Sequence, residues 1–408
     1  MREWKEYKLG DVAEVQTGPF GSQLHQSDYK QIGTPIITVE HLGENKIIHE
    51  NLPLVGEEDR QRLIKYTLQE GDIVFSRVGS VDRRVYIRKE EDGWMFSGRC
   101  FRVRSDKKKV NPKFLSYYFG QESFRELIRR IAVGATMPSI NTTILCEVDI
   151  SIPNLDYQTD IASILSSLDD KIDLLHRQNK TLEQFAETLF KHWFVEYPTI
   201  LGRLGSLVEG TFGGEWGKEN SEGDYNFPVY CIRGTDIADL QEGLATRTPL
   251  RFVKEKKYKS IEMQNGDLVM EISGGSDGQS TGRTILINED VKSLFSYPLI
   301  FSNFCRLIRP INPECGLYIL CYINMLYDQG DFFNLENGSS GIRNFDYKAF
   351  LYELDYKMHD DFQILNFNKK VKSYFNKINK NKFQICTLTQ LRDTLLPKLM
   401  SGEVRVNY

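Results

Sequence analysis

The sequence predicts an α+β protein: two similar mixed α/β domains joined by two long antiparallel helices that form a coiled coil. Three observations carry this expectation. The chain repeats itself, since Leu9-Gly10-Asp11-Val12-Ala13-Glu14 returns as Leu204-Gly205-Ser206-Leu207-Val208-Glu209, and Leu68-Gln69-Glu70-Gly71-Asp72-Ile73-Val74 returns as Met263-Gln264-Asn265-Gly266-Asp267-Leu268-Val269, both at a shift of 195 residues. Between the copies, Leu165, Leu168, Ile172, Leu175, Asn179, Leu182, Ala186, Leu189 and Trp193 alternate by threes and fours, the apolar seam of a heptad helix that needs a partner helix along its length. A rougher stripe, Val371, Tyr374, Phe375, Ile378, Ile385, Leu388, Leu391, Leu395 and Leu399, supplies that partner.

The order of elements follows from these signals. The first domain occupies residues 1–155, a central spacer helix 156–197, the second domain 198–366 and a C-terminal spacer helix 367–408. Later echoes keep their order while the shift drifts: Phe96-Ser97 and Cys100 answer to Phe301-Ser302 and Cys305, and Asn111-Pro112 answers to Asn312-Pro313. A period near 200 residues is far too long for a solenoid unit, so the repeat is a duplicated domain. Within it, Pro35 to Val39, Asp72 to Phe75 and Cys100 to Arg104 read as strands, with short helices over Pro112 to Phe119 and Gln121 to Ile131. The central helix opens after Pro153 and ends before Pro198, about 50 Å of rod at 1.5 Å per residue. Asn381 and Arg392 interrupt the C-terminal stripe, and Asn179 offers a polar match. Opposite net charges, −3 over 157–200 and +7 over 367–408, favour the pairing.

At 408 residues with 40% hydrophobic side chains, both domains can fill a core. The opening residues Met1 to Glu6 carry no apolar secretory stretch, and the longest apolar run, about Leu317 to Tyr327, falls short of the ~20 residues that span a bilayer. A cytoplasmic chain is expected. The seven cysteines never stand as Cys-x-x-Cys, which suggests neither a disulfide framework nor a zinc site. Charge is uneven: residues 1–156 balance, whereas 201–366 are net −8, the opposite of the usual phosphate-neutralising surface.

No catalytic string emerges. The strings Asn-Pro-Pro-Tyr and Pro-Cys, which a base methyltransferase would need, do not occur, and Gly274 to Gly282 lacks the lysine of a phosphate loop. The six histidines never pair as His-x-x-x-His. Asp72 and Asp267 stand at equivalent places after a glycine and read more simply as turn residues leading into strands than as paired acids. A non-catalytic binding protein without cofactor or metal is expected.

Against that background, Gly134-Ala135-Thr136-Met137-Pro138-Ser139-Ile140-Asn141, Ile150-Ser151-Ile152-Pro153, the helix start at Gln158 to Ile161, and Leu168-Asp169-Asp170-Lys171-Ile172 form a recognisable series. With Leu395-Leu396-Pro397-Lys398-Leu399-Met400-Ser401-Gly402-Glu403 near the other end, the chain resembles the specificity (S) subunit of type I restriction-modification systems over nearly its whole length. Copy two departs at Gly338 to Asn344, which lacks the proline of copy one. The resemblance implies two target-recognition domains that each read half of a split double-stranded DNA site, spacer helices that dock two modification (methyltransferase) subunits, and added restriction subunits. A coiled-coil adaptor that assembles proteins without reading DNA is the alternative, and a nuclease with an unrecognised site a third.

Arginine contacts guanine bidentately in the major groove, which makes Arg77, Arg83, Arg84 and Arg99 in copy one, with Arg283, Asn303 and Arg343 in copy two, the first candidates for DNA contact. Glycine-bearing loops that let backbone amides approach phosphate add Gly18 to Ser22, then Gly134, Thr136, Ser139 and Asn141, and Ser339. The expected helix interface is Leu165, Leu168, Ile172, Leu175, Asn179, Leu182 and Leu189 against Ile378, Ile385, Leu388 and Leu395.

Overall fold

Both copies turn their Gly-Asp echo into the same device. Gly71 and Gly266 adopt left-handed φ angles of 96° and 94°, which glycine tolerates without a side-chain clash. The next residue faces inward: Asp72 and Asp267, both buried, accept a backbone N–H from Gln69 (2.8 Å) and Gln264 (2.7 Å). Each also holds an arginine of the neighbouring strand through two contacts, Asp72 with Arg104 at 2.7 and 2.7 Å, Asp267 with Arg309 at 3.0 and 2.7 Å. A bidentate carboxylate–guanidinium pair fixes strand register as well as charge. Burial and the arginine account for both aspartates structurally.

The computed structural model describes residues 4–406 except 135, 198–199, 246, 275–278, 341 and 359, and without the side chains of 339–340 and 342. It is a mixed α+β fold that divides into two compact units, residues 1–171 with 389–408, and residues 172–388. In the first unit a four-stranded antiparallel sheet runs in the order Ala13–Thr17, Cys100–Ser105, Ile73–Ser76, Arg84–Tyr86. The second repeats that order with Val208–Gly213, Cys305–Pro310, Leu268–Glu271, Thr284–Leu286. A parallel pairing also recurs, Thr34–Ile37 with Met95–Phe96 and Phe227–Ile232 with Leu299–Phe301. The Asn-Pro echo is a helix start in both: Asn111 caps Pro112–Gly120, and the Asn312 side chain accepts from Glu314 N at 3.0 Å, with proline in the first turn where no N–H is needed.

The two long helices are Leu155–Phe190, continued by a π-turn over Lys191–Glu196, and Asp361–Met400. The second begins six residues before the expected 367, where the Asp360 side chain accepts Gln363 N at 2.9 Å as a cap. Within the first unit they lie antiparallel: Arg392 donates to Asp169 at 2.9 Å, and the Tyr157 hydroxyl to the Val404 carbonyl at 3.2 Å. Leu399 and Met400 join Tyr157, Ile161 and Leu165 in the core there. Within the second unit Phe190 meets Phe367 with ring centroids 5.7 Å apart, and Asn381 donates to Asn179 at 2.8 Å. The two polar interruptions of the stripe, Arg392 and Asn381, are thus each answered by a polar group on the other helix. A buried Asn would otherwise cost about 1–3 kcal/mol of unmet hydrogen bonding.

Leu165, Ile172, Leu175 and Asn179 are buried, whereas Leu168, Leu182 and Leu189 are half-buried, with Asp169, Phe190 and Phe194 buried in place of Leu168, Leu189 and Trp193. A strict alternation of threes and fours has period 3.5 and an α-helix turns every 3.6 residues, so towards its far end the buried line moves on by one residue to Phe190 and Phe194. Asp169 is buried because it accepts the Tyr117 hydroxyl at 2.6 Å and Arg392 at 2.9 Å. On the C-terminal helix Ile378 is buried, Ile385, Leu388 and Leu395 are half-buried, and Leu391 is exposed. Among the described residues no helix is long and apolar enough to cross a membrane.

Candidate nucleic-acid interface

One turn organises the rim of each sheet. In copy one the strand Ala13–Thr17 runs into Gly18, whose N–H donates to the Cys100 carbonyl at 3.2 Å. A Cβ on Gly18 would stand 2.3 Å from the Ser97 carbonyl oxygen, so only glycine allows the Ser97–Cys100 turn to sit there. The turn closes through Cys100 N to Ser97 O at 2.9 Å, and Arg77 N donates to Arg99 O at 2.9 Å. The Arg77 guanidinium donates to Gly98 O at 3.0 Å and lies 5.5 Å from the Phe20 ring centroid. Arg77 therefore braces the turn, while Arg83 and Arg99 are exposed, with no side-chain partner among the described residues.

The loop 133–141 docks onto the same place. Val133 and Ser139 exchange both backbone hydrogen bonds at 2.9 Å, Gly79 N donates to Pro138 O at 2.9 Å, and Ile140 N to Arg77 O at 3.0 Å. Gly134 takes φ 111°, Thr136 is exposed, Ser139 is half-buried, and Asn141 caps the short helix Thr142–Cys146 by accepting from Ile144 N at 2.8 Å. The structure thus gathers Arg77, Arg99, Gly134, Thr136 and Ser139 with the Phe20 loop, and places Arg83 on the hairpin end beside them.

Arg84 goes elsewhere. It is 3% exposed, its Nε donating to Ser116 O at 2.8 Å and its Nη1 to Glu44 at 2.7 Å. Burial draws its pKa down and Glu44 opposes that. A guanidinium buried inside the domain and held by Ser116 and Glu44 is not presented to a base edge. Adjacent residues on a strand face opposite ways, so Arg83 and Arg84 could not both be outside.

Copy two rebuilds the turn with other side chains. A Cβ on Gly214 would stand 2.2 Å from Phe301 O, Cys305 N donates to Ser302 O at 3.0 Å, and Ile272 N to Phe304 O at 2.9 Å. Asn303 and Phe304 are exposed. Arg283 is held by buried Glu271 through two 2.9 Å contacts, a pairing that raises the arginine's pKa and makes it part of the sheet. Arg343 lies 3.3 Å from Glu336, whose carboxylate also accepts the Thr281 hydroxyl at 2.9 Å. The hairpin Glu336–Ser340 with Ile342–Phe345 pairs with Ser273–Gly274, standing where the 133–141 loop stands in copy one. The side chain of Ser339 lies outside the described residues.

Sequence reasoning passed over Phe304. Its signal lay in the repeat: aligning Phe96-Ser97 and Cys100 with Phe301-Ser302 and Cys305 sets Asn303-Phe304 on Gly98-Arg99. A search for cations and amides does not stop at a phenyl. Among the described residues no group of three or more His, Cys, Asp or Glu is placed to hold a metal ion.

Comparison with known proteins agrees with this architecture. Residues 1–184 match the model of the type I restriction modification DNA specificity domain. The chain is 23% identical to the type I restriction enzyme HindI specificity subunit of Haemophilus influenzae, covering 99% of this chain and 100% of that protein. It is 26% identical to the MjaIX specificity subunit of Methanocaldococcus jannaschii, covering 99% and 94%. In fold it is similar to the crystal structure of the type I restriction-modification S subunit from M. genitalium, with a TM-score of 0.62, 18% identity and coverage of 97% and 96%.

Proposed function

We propose that the chain is a specificity subunit of a type I restriction-modification system and that each of its two globular domains reads one half of a split double-stranded DNA site. As a specificity subunit it is the non-catalytic member of its complex. In functional terms residues 1–155 and 198–366 are the readers, and 156–197 with 367–408 are the helical spacer. The helices set the gap between half-sites and dock two methyltransferase subunits; restriction subunits complete the enzyme, which works in the cytoplasm.

One observation carries the reading. The same glycine-backed turn rims the same four-stranded sheet twice, and its outward side chains differ between copies. Two readers of one design with different contact groups suit a site whose halves differ. Arg77, Arg83, Arg99, Gly134, Thr136, Ser139 and Asn141 are the contact set of the first reader, and Asn303, Phe304, Ser339 and Arg343 that of the second. The net charge of −8 over 201–366 fits a reader whose phosphate contacts come largely from partner subunits.

The test is methylation of a randomised DNA library by this chain assembled with its modification subunits. A consensus of two short half-sites separated by a fixed gap is expected. Methylation with no split consensus, or tight partner assembly with no effect on DNA binding, overturns the reading in favour of an adaptor.

A further inference from the structure

Arg99 and Phe304 occupy one position of one turn. Each supplies the carbonyl that accepts the backbone N–H of the equivalent residue across the sheet, Arg77 and Ile272, at the same 2.9 Å. Each is followed by a buried cysteine whose sulfur lies 3.8 Å from the serine hydroxyl three residues earlier, Ser97 or Ser302. Each turn rests on a glycine that leaves no room for a Cβ, Gly18 or Gly214. The backbones agree, and the side chains do not.

Among the described residues nothing inside either domain asks for these side chains. The Arg99 guanidinium has no partner among the described residues, and Phe304 is 57% exposed. A phenyl ring held in water on a turn gives up the free energy its burial would provide. A free guanidinium stabilises nothing by pairing. Both fit a surface that is covered only when DNA is bound.

Resting on the reading proposed above, we propose that this turn position selects a base pair in each half-site: Arg99 takes a guanine, and Phe304 takes a thymine. A guanidinium forks onto the guanine O6 and N7 acceptors in the major groove, and an apolar side chain packs on the thymine methyl group. The second half-site accordingly has an A·T pair where the first, in the equivalent place, has G·C.

The experiment exchanges the two groups. Arg99→Phe and Phe304→Arg, with Phe304→Ala and Arg99→Lys as gentler variants, are each assembled with the modification subunits, checked for complex formation by size-exclusion chromatography, and assayed on a randomised DNA library. Arg99→Phe is expected to lower the preference for G·C at one position of one half-site by roughly ten- to a hundredfold, leaving the gap and the other half-site unchanged. Phe304→Arg is expected to move one position of the other half-site from A·T towards G·C, and Phe304→Ala to relax it. Arg99→Lys keeps a cation without the fork and is expected to retain the guanine with weaker discrimination. Intact complexes whose split consensus is unchanged by the exchange overturn this inference while the proposed function stands. Loss of methylation on every library member overturns it too, because the position then serves binding in general. A wild-type complex without a split consensus overturns the proposed function itself.

Discussion

In copy one Arg104 is held by Asp72, and Asp72 by the turn below it; in copy two Arg309 and Asp267 make the same arrangement at nearly the same distances. The sheets around them share one strand order. At the rim the likeness stops. Copy one presents free Arg83 and Arg99 and lays a loop over 133–141, whereas copy two presents Asn303 and Phe304, ties Arg283 and Arg343 to glutamates, and uses a hairpin for the loop. The difference teaches where duplication was free to drift. Changing a buried ion-paired group costs several kcal/mol, and changing an exposed side chain without partners costs almost nothing in stability.

The largest expected effect tests the shared interior. Asp267→Ala leaves Arg309, 15% exposed, unpaired and is expected to cost about 3–4 kcal/mol; Asp72→Ala is expected to cost about 2–3 kcal/mol, because Arg104 at 29% exposed keeps more contact with water. Hydrogen exchange resolved by segment, with denaturant titration, reads both. Neutrality at either aspartate would break the parallel between the copies.

Next comes the seam inside the second unit. Asn381→Leu strands Asn179 and is expected to cost about 1–3 kcal/mol, while Asn179→Leu combined with Asn381→Leu is expected to be near neutral or stabilising, since no donor is left unmet. Additive losses in that double-mutant cycle would mean the two amides do not depend on one another.

A pH contrast follows from the thiols. Burial pushes Cys100 up to about 12 in copy one, and Cys231, Cys305 and Cys321 up to about 12 in copy two. Above pH about 9 the unfolded chain loses these protons and the folded chain keeps them, so the folded state binds more protons and stability falls as pH rises from about 9 towards 12. The slope is about 1.4 kcal/mol per pH unit for each thiol at most. Copy two, with these three thiols and Cys315 raised to about 11, against Cys100 and the raised Cys146 in copy one, is expected to lose protection first in alkaline hydrogen exchange, and equal slopes in the two copies would contradict it.

The smallest effect on stability sharpens the rim. Arg83→Ala and Asn303→Ala are each expected to change stability by less than about 0.5 kcal/mol. Arg83→Ala is expected to reduce the salt dependence of DNA binding by about one unit of slope and Asn303→Ala to leave it unchanged, as fluorescence anisotropy over a salt series would show.

The duplicated scaffold was readable because its constraints are local. Gly-Asp needs a left-handed turn, Asn-Pro needs a helix start, and each survives in both copies. Asn179 opposite Asn381 was readable as well, since each breaks an apolar stripe and a buried amide needs an answer. The rim was harder. Arg83 and Arg84 are neighbours, and only hairpin register decides which one meets Glu44 and Ser116 inside. Arg283 finds Glu271 across the sheet, a pairing that no spacing rule reveals. The seam was placed one residue off at Leu189 because the true helical period exceeds that of the pattern, and at Leu168 because Asp169 meets Tyr117 and Arg392, partners that no stripe reveals.

Leu399 and Met400 lie in the core of the unit built mainly from residues 1–171. On the ribosome, the half that emerges first has its closing helix delivered more than two hundred residues later, after the other half has already been made. During that interval its apolar floor around Tyr157, Ile161 and Leu165 lacks the two side chains that close it. A premature stop codon anywhere upstream of residue 389 would thus damage the beginning of the protein as surely as its end.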